Sequence, residues 1–79
     1  MTTNARLVKN VNEHQKLWQL PSGTFVLTSF SNRTLPNETM AFEAWEGGGV
    51  KDWQELACAV GPKPRHEEVI EEVMIRRTL

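Results

Sequence analysis

The chain has 79 residues, of which 24% are charged, and its formal net charge is −1. A chain of this length forms a single domain that buries only about 60–65% of its unfolded surface, and a net charge near zero excludes a global basic field that would hold a nucleic acid backbone. A single cysteine excludes an internal disulfide, and no apolar run approaches the roughly 18 residues of a membrane-spanning helix. Because the N-terminal residues also lack the apolar segment of a signal peptide, we expect a cytoplasmic protein without membrane contact.

The first segment, residues 1–13, is polar apart from Leu7, Val8 and Val11. Terminal segments of this kind are ordered only where something ties them down. The segment is predicted to be an N-terminal arm, with a short first strand as the alternative. Residues 14–79 are then predicted to form the single folded domain.

Three strands are predicted from runs that are rich in β-forming residues. Residues 15–20 and 24–30 flank a Pro-Ser-Gly sequence at 21–23, which is typical of a hairpin turn. Residues 31–37 contain Asn, Pro and Ser and are predicted to be a loop, and residues 38–46 form the third strand. Alternation in this strand assigns one apolar set to the face that meets the helix, namely Met40, Phe42 and Ala44.

Two helices are predicted to follow the glycines at residues 47–49. The first is short and opens at Asp52, with Glu55 three residues later as in a capping box. Its apolar face consists of Trp53, Leu56, Ala57 and Val60, before a stop at Gly61 and Pro62. The C-terminal helix begins near Pro64 and buries a stripe that consists of Val69, Ile70, Val73 and Met74. The predicted fold class is therefore α+β, a three-stranded antiparallel sheet packed against a C-terminal helix with a short helix between them.

No pattern of catalytic or metal-ligating residues is found in the sequence. The candidate soft ligands Cys58, His14 and His66 lack the paired spacing of a zinc site. The glycines at 47–49, followed by Lys51, lack the second half of a phosphate-binding loop. We therefore expect a protein that is not an enzyme and that has no metal and no cofactor.

The aromatic side chains carry the most information about function. Phe25, Phe42 and Trp53 can close the core, but a single helix cannot bury the remaining three as well. Those three, Trp18, Phe30 and Trp45, are the predicted partner-binding residues. The apolar face that they leave open requires a cover, which is the N-terminal arm, a second copy of the chain in a symmetric homodimer, or a partner protein.

Several segments resemble small uncharacterised proteins that are encoded by phages and prophages. Residues 17–23 stand where those proteins have a Trp-x-Leu-Pro-Ser-Gly hairpin. Residues 38–44 resemble their Glu-Thr-Met-x-Phe strand, residues 49–56 resemble their Asp-Trp-x-Glu-Leu segment, and residues 66–70 continue the similarity. The resemblance covers residues 17–72 and implies no activity for any residue. The chain departs from the family at its three glycines and Trp45, where an acidic turn is expected.

Two functions from different classes are expected. The first is a small non-enzymatic interaction protein, encoded by a phage or mobile element, that binds and modulates another protein in the host cytoplasm, such as a component of the defence or replication machinery. The alternative is a nucleic-acid-associated module, in which sheet aromatics stack on bases while basic residues contact phosphates. Those basic residues are Arg6, Lys9, Lys16 and Arg33. The near-neutral charge makes nucleic acid the weaker candidate of the two.

Overall fold

Five antiparallel strands and one helix make up the part of the chain that the computed structural model describes, residues 5–30, 38–60 and 65–78. The elements are β1 (Arg6–Asn10), β2 (Gln15–Gln19), β3 (Phe25–Phe30), β4 (Glu38–Ala44), β5 (Val50–Val60) and α1 (His66–Thr78). The strands lie in the sheet in the same order as in the chain. The loop predicted at 31–37 and the helix boundaries predicted at 61–64 lie outside the described residues.

The prediction of a three-stranded sheet with an additional short helix is wrong, because the sheet has one more strand at each edge. β1 comes from the segment predicted to be an N-terminal arm, and it pairs with β2. β5 forms in place of the short helix. Asp52 does cap a backbone group, since its Oδ1 accepts a hydrogen bond from the N–H of Gln54 at 3.0 Å, but it does so within a strand. Such a cap is a local interaction that does not require a helix.

The pairing of β5 with β4 is irregular. Residues 50–57 of β5 stand opposite residues 41–44 of β4, so that eight residues face four and β5 bulges repeatedly. Each bulge interrupts the two-residue alternation of a strand. The apolar residues of this segment can therefore stand three or four positions apart, as they would in a helix. The bulged residues 51–55 are exposed.

The two tight hairpins use the same turn. The β2–β3 turn (residues 20–24) and the β4–β5 turn (residues 45–49) are each closed by two backbone hydrogen bonds of 2.7–2.9 Å. Gly23 and Gly48, at equivalent positions, have φ angles of 96° and 101°. This left-handed region is open to glycine and costly for other residues. The Pro-Ser-Gly hairpin is thus found where the sequence predicts it.

α1 packs on one face of the sheet. The cluster between them contains Val69, Ile70 and Val73 of the helix with Trp18, Leu20, Val26, Ala41 and Ala57 of the sheet side. Met40, Phe42 and Ala44 were predicted to meet the helix, but they point to the opposite face, and Ala41 meets the helix instead. When both sets of alternating residues contain apolar side chains, alternation separates the sets without showing which set faces the helix.

The other face of the sheet also has a buried cluster, although no helix among the described residues covers it. Leu17 and Leu27 are 0% and 2% exposed on it. The partly buried side chains packed around them are Val8, Val11, Phe25 and Val50. The N-terminal segment, one of the three predicted covers, therefore packs on this apolar face through Val8 and Val11. The homodimer stays a prediction, but the apolar face that motivated it is already buried within one chain.

Curvature of the sheet brings this cover into place. Lys9 Nζ donates a hydrogen bond to the carbonyl oxygen of Gly47 at 3.0 Å, although β2 and β3 lie between β1 and β4 in the sheet. A Cβ on Gly48 would meet side-chain carbons of Lys9 and Val11 at 3.5 Å. The end of β1 thus reaches the β4–β5 turn, and the sheet curls around its second core cluster.

Candidate functional site

An open groove of about 420 Å³ lies at the end of the sheet where the two tight turns stand side by side. It is lined by residues 22–25 from the β2–β3 turn, residues 43–46 from the end of β4, and Lys51 from β5. Pairing of Phe25 with Ala44 holds the two turns next to each other. We call this feature the Trp45 groove, after its most exposed aromatic side chain.

The indole of Trp45 and the ammonium of Lys51 meet in this groove. Trp45 is 58% exposed, and Lys51 Nζ lies 5.0 Å from the centroid of its ring. The same Nζ lies 3.3 Å from Glu43 Oε2, and the two charged side chains are 45% and 31% exposed. A cation is therefore held between an aromatic ring and a carboxylate, in contact with solvent.

Trp53 is the second exposed tryptophan, at 72%. It belongs to the bulged part of β5, and its ring makes a T-shaped contact with the ring of Phe42 at a centroid distance of 5.4 Å. The sequence assigned Trp53 to the core because its spacing fitted a helix. No signal in the sequence reveals the bulges that expose it. The structure therefore adds Trp53 and Lys51 to the set of surface residues that could contact a partner.

The three predicted partner-binding residues do not form one surface. Trp45 is exposed near Phe25, the first residue of β3, whereas Phe30 is the last residue of the same strand. Phe30 is half-buried, with its ring centroid 4.7 Å from that of His66. Trp18 is only 5% exposed and belongs to the cluster beneath α1. Of the three, Trp45 alone offers most of its ring to solvent.

A buried polar network lies between β2, β3 and the start of α1. Trp18 Nε1 donates a hydrogen bond to Thr28 Oγ1 at 3.0 Å, and His66 Nδ1 lies 2.6 Å from the same oxygen. Burial lowers the pKa of His66, and the Lys16 ammonium lowers it further. The Thr28 hydroxyl and His66 imidazole resemble a nucleophile with its base. Thr28 is 0% exposed, however, so a substrate cannot reach it, and the network serves to fix the helix on the sheet.

Three basic residues of the nucleic-acid alternative lie on the first two strands, Arg6 and Lys9 on β1 and Lys16 on β2. Arg6 Nη2 donates a hydrogen bond to Gln19 Oε1 at 2.7 Å, and Lys9 is bonded to the β4–β5 turn. Lys16 is half-buried, and Arg33 lies outside the described residues. Of the described cations, Arg6 and Lys16 lie on β1 and β2, whereas Lys9 reaches the β4–β5 turn, so the three do not form one basic track beside an exposed ring.

Cys58 is half-buried, with its Sγ 4.0 Å from Glu38 Oε2. Burial raises the pKa of the thiol, and the carboxylates of Glu55 and Glu38 raise it further. A raised pKa keeps the sulfur protonated and weakly nucleophilic. Within residues 5–30, 38–60 and 65–78, no three His, Cys, Asp or Glu side chains cluster in a way that could hold a metal ion.

No helix in the described part of the chain is long and apolar enough to cross a membrane. Comparison with protein family models, curated proteins and solved structures finds no match to this chain. The resemblance to phage-encoded proteins therefore stays a prediction. Evidence for a function comes from the exposed surface of the domain.

Proposed function

We propose that this domain is a non-enzymatic protein-binding module and that it contacts its partner through Trp45 and Trp53. The observation that carries the proposal is the exposure of these two tryptophans, 58% and 72%, in a chain whose two core clusters are closed without them. Tryptophan is enriched among the residues that dominate binding energy at protein interfaces. Large aromatic side chains left in water on a small domain are typical of such an interface.

Burial of these two rings would supply a substantial part of the free energy of binding. Together they expose on the order of 250 Å² of largely apolar surface, judged from the usual size of a tryptophan side chain. Burying that area at about 25 cal/mol per Å² supplies ~6 kcal/mol before the entropic cost of association is subtracted. The side chain of tryptophan has two rotatable bonds, so little conformational entropy is lost when it is fixed.

Charge favours a protein over a nucleic acid as the partner. Glu43 and Glu46 line the groove beside Trp45, and Lys51, which is the cation that the described residues place there, is paired with Glu43. Carboxylates next to an exposed ring repel the phosphates of a strand that would stack on it. Modulation of a host defence or replication complex by a phage-encoded protein, in the cytoplasm, is the narrower form of this proposal and depends on the sequence resemblance.

Selection from a displayed library of random linear peptides tests the proposal on the full chain. We expect peptides that bind the wild type and lose at least about tenfold in affinity on Trp45→Ser or Trp53→Ser, because each variant removes an anchor ring. Ile75→Ser is the matched control, since Ile75 is also a large exposed hydrophobic, at 49%, but lies on α1. Binding to the control variant should be unchanged.

Three results would contradict the proposal. The first is a selection that yields no binder, or only binders that are indifferent to both tryptophan substitutions. The second is single-stranded DNA that binds the wild type and releases from the same variants, which would assign the surface to nucleic acid. The third is a doubled mass in light scattering that Trp45→Ser abolishes, which would make a second copy of the chain the occupant.

A further inference from the structure

We propose that the Trp45 groove is a recognition site for a basic side chain of the partner, with arginine preferred, and that Lys51 occupies this site in the free chain. The inference rests on the proposed protein-binding function and names the chemistry that the partner presents. It starts from the position of Lys51 Nζ, 5.0 Å from the Trp45 ring centroid and 3.3 Å from Glu43 Oε2. An aromatic face next to a carboxylate is a geometry that proteins use to bind cations.

The groove remains a cation site when Lys51 leaves it. Two carboxylates, Glu43 and Glu46, and the indole of Trp45 then line the space, and the described residues add no other cation to the lining. Lys9 approaches the neighbouring turn, where its Nζ bonds the carbonyl oxygen of Gly47, and it is not part of the lining. The vacated groove therefore has two negative charges and an electron-rich ring, which is complementary to a positive side chain.

Displacing Lys51 costs little. An exposed ion pair and an exposed cation–π contact each contribute little, because water competes for the ammonium and salt screens its charge. Lys51 lies in the bulged part of β5, between Val50 and Asp52, and has no partner residue of its own in the register with β4. Its side chain can swing into water without breaking the ladder. An incoming side chain that makes stronger contacts can therefore take its place.

Arginine makes such contacts. Its planar guanidinium stacks on an indole and pairs with a carboxylate through two parallel N–H donors, whereas an ammonium acts as a point charge. A lysine from the partner would make the same contacts with Trp45 and Glu43 as Lys51 makes, so it would gain no advantage over Lys51. The groove is open at the surface, so it can admit a side chain that projects from a bound segment.

The test uses the ¹H–¹⁵N spectrum of the full chain, in which each of its three tryptophans contributes one indole N–H signal. The probes are the capped tripeptide acetyl-Gly-Arg-Gly-amide and its citrulline analogue, which has nearly the same shape but no charge. We expect the arginine peptide to shift the Trp45 signal saturably, with at least about tenfold higher affinity than the citrulline peptide. The signal of the buried Trp18 should not move and reports on folding.

Variants separate recognition from non-specific attraction. Lys51→Met keeps the aliphatic stem and removes the internal competitor, so the arginine peptide should bind about fivefold more tightly. Glu43→Gln should weaken binding about tenfold, because it removes the carboxylate that pairs with the guanidinium. Glu13→Gln, an exposed acid in the β1–β2 turn, is the matched control and should leave the affinity unchanged.

Equal shifts with the arginine and citrulline peptides would overturn the inference, and so would weaker binding by Lys51→Met. Failure here is distinguishable from failure of the proposed function. If selected peptides still depend on Trp45 and Trp53 while arginine has no effect, the surface binds protein and the cation site is wrong. If binding depends neither on the two tryptophans nor on the arginine charge, both proposals are wrong.

Discussion

His66, the first residue of α1, places its ring Nδ1 2.6 Å from Oγ1 of Thr28 in β3. Trp18 of β2 donates its indole N–H to the same oxygen at 3.0 Å, and the hydroxyl also lies 3.3 Å from the carbonyl oxygen of Lys16. These three side chains are 0–6% exposed. One buried hydroxyl thus joins the start of the helix to two strands, and the stability of the fold should depend on it.

Thr28→Val should lower the free energy of unfolding by at least about 2 kcal/mol. Valine has nearly the same shape but leaves the indole N–H of Trp18 and one ring nitrogen of His66 buried without a partner, and each such group costs about 1–3 kcal/mol. Urea denaturation measures the change.

Thr39→Val is the matched control, because Thr39 is also 0% exposed and its Oγ1 has no hydrogen-bond partner among the residues that the structure describes. Removing an unpaired buried hydroxyl should be neutral or should stabilise by up to about 1 kcal/mol. Equal losses in the two variants would show that the network contributes nothing beyond the volume of its side chains.

The stability of the wild type should fall as the pH decreases below about 6.5, the ordinary pKa of histidine. Burial and the Lys16 ammonium lower the pKa of folded His66 below the value of about 6.5 expected in the unfolded chain. At pH values above about 6.5, the imidazole of His66 is neutral in both the folded and the unfolded chain. Below it, the unfolded state binds a proton that the folded state resists, so the free energy of unfolding decreases as the pH falls through the folded pKa.

A histidine variant assigns this pH dependence. His66→Gln should flatten the curve of unfolding free energy against pH in this range, because it removes the titrating ring. Urea denaturation at several pH values provides the curves. A wild-type curve that is flat over the range would refute the assignment.

Leu27→Ala should destabilise the domain by about 2–5 kcal/mol, as is usual for truncating a fully buried leucine. Leu27 is 2% exposed, on the face that has no helix. Leu7→Ala, at a leucine that is 42% exposed, should change stability by only about 0.5 kcal/mol. Thermal or urea unfolding compares the two. A near-neutral Leu27→Ala would mean that the curled sheet does not close over this face in solution.

Neighbouring glycines in the β4–β5 turn should respond differently to alanine. Gly48 has a φ of 101°, so Gly48→Ala should cost about 1–2 kcal/mol. Gly47 does not have a positive φ, and a Cβ there would meet nothing within 4 Å. Gly47→Ala should therefore be neutral or stabilise by up to about 1 kcal/mol, because it restricts the unfolded chain. Melting temperatures that shift equally in both variants would contradict the assigned turn.

Of the three predicted partner-binding residues, Trp45 alone lies at the candidate site. The alternation of the predicted third strand places it on the face opposite Met40, Phe42 and Ala44, and the structure exposes it. Trp18 and Phe30 were assigned to the same surface on hydrophobicity alone, which cannot distinguish a ring buried under a helix from one in water. Trp53 and Lys51 were missed because their exposure results from bulges that depend on how β5 pairs with β4.

By itself, the sequence determined β2, β3, β4, their first hairpin and the C-terminal helix, because these depend on interactions between residues close in the chain: β-forming runs, a Pro-Ser-Gly turn, and an apolar stripe at helical spacing. Only the tertiary structure decided that the segment after the glycines is a strand, that β1 joins the sheet, and that Ala41 and not Phe42 meets the helix. Those choices depend on pairing with β4, on curvature that brings Lys9 to the β4–β5 turn, and on which face the helix covers. Each is a contact between distant segments, and such contacts override local propensity when they satisfy more backbone hydrogen bonds and bury more apolar surface.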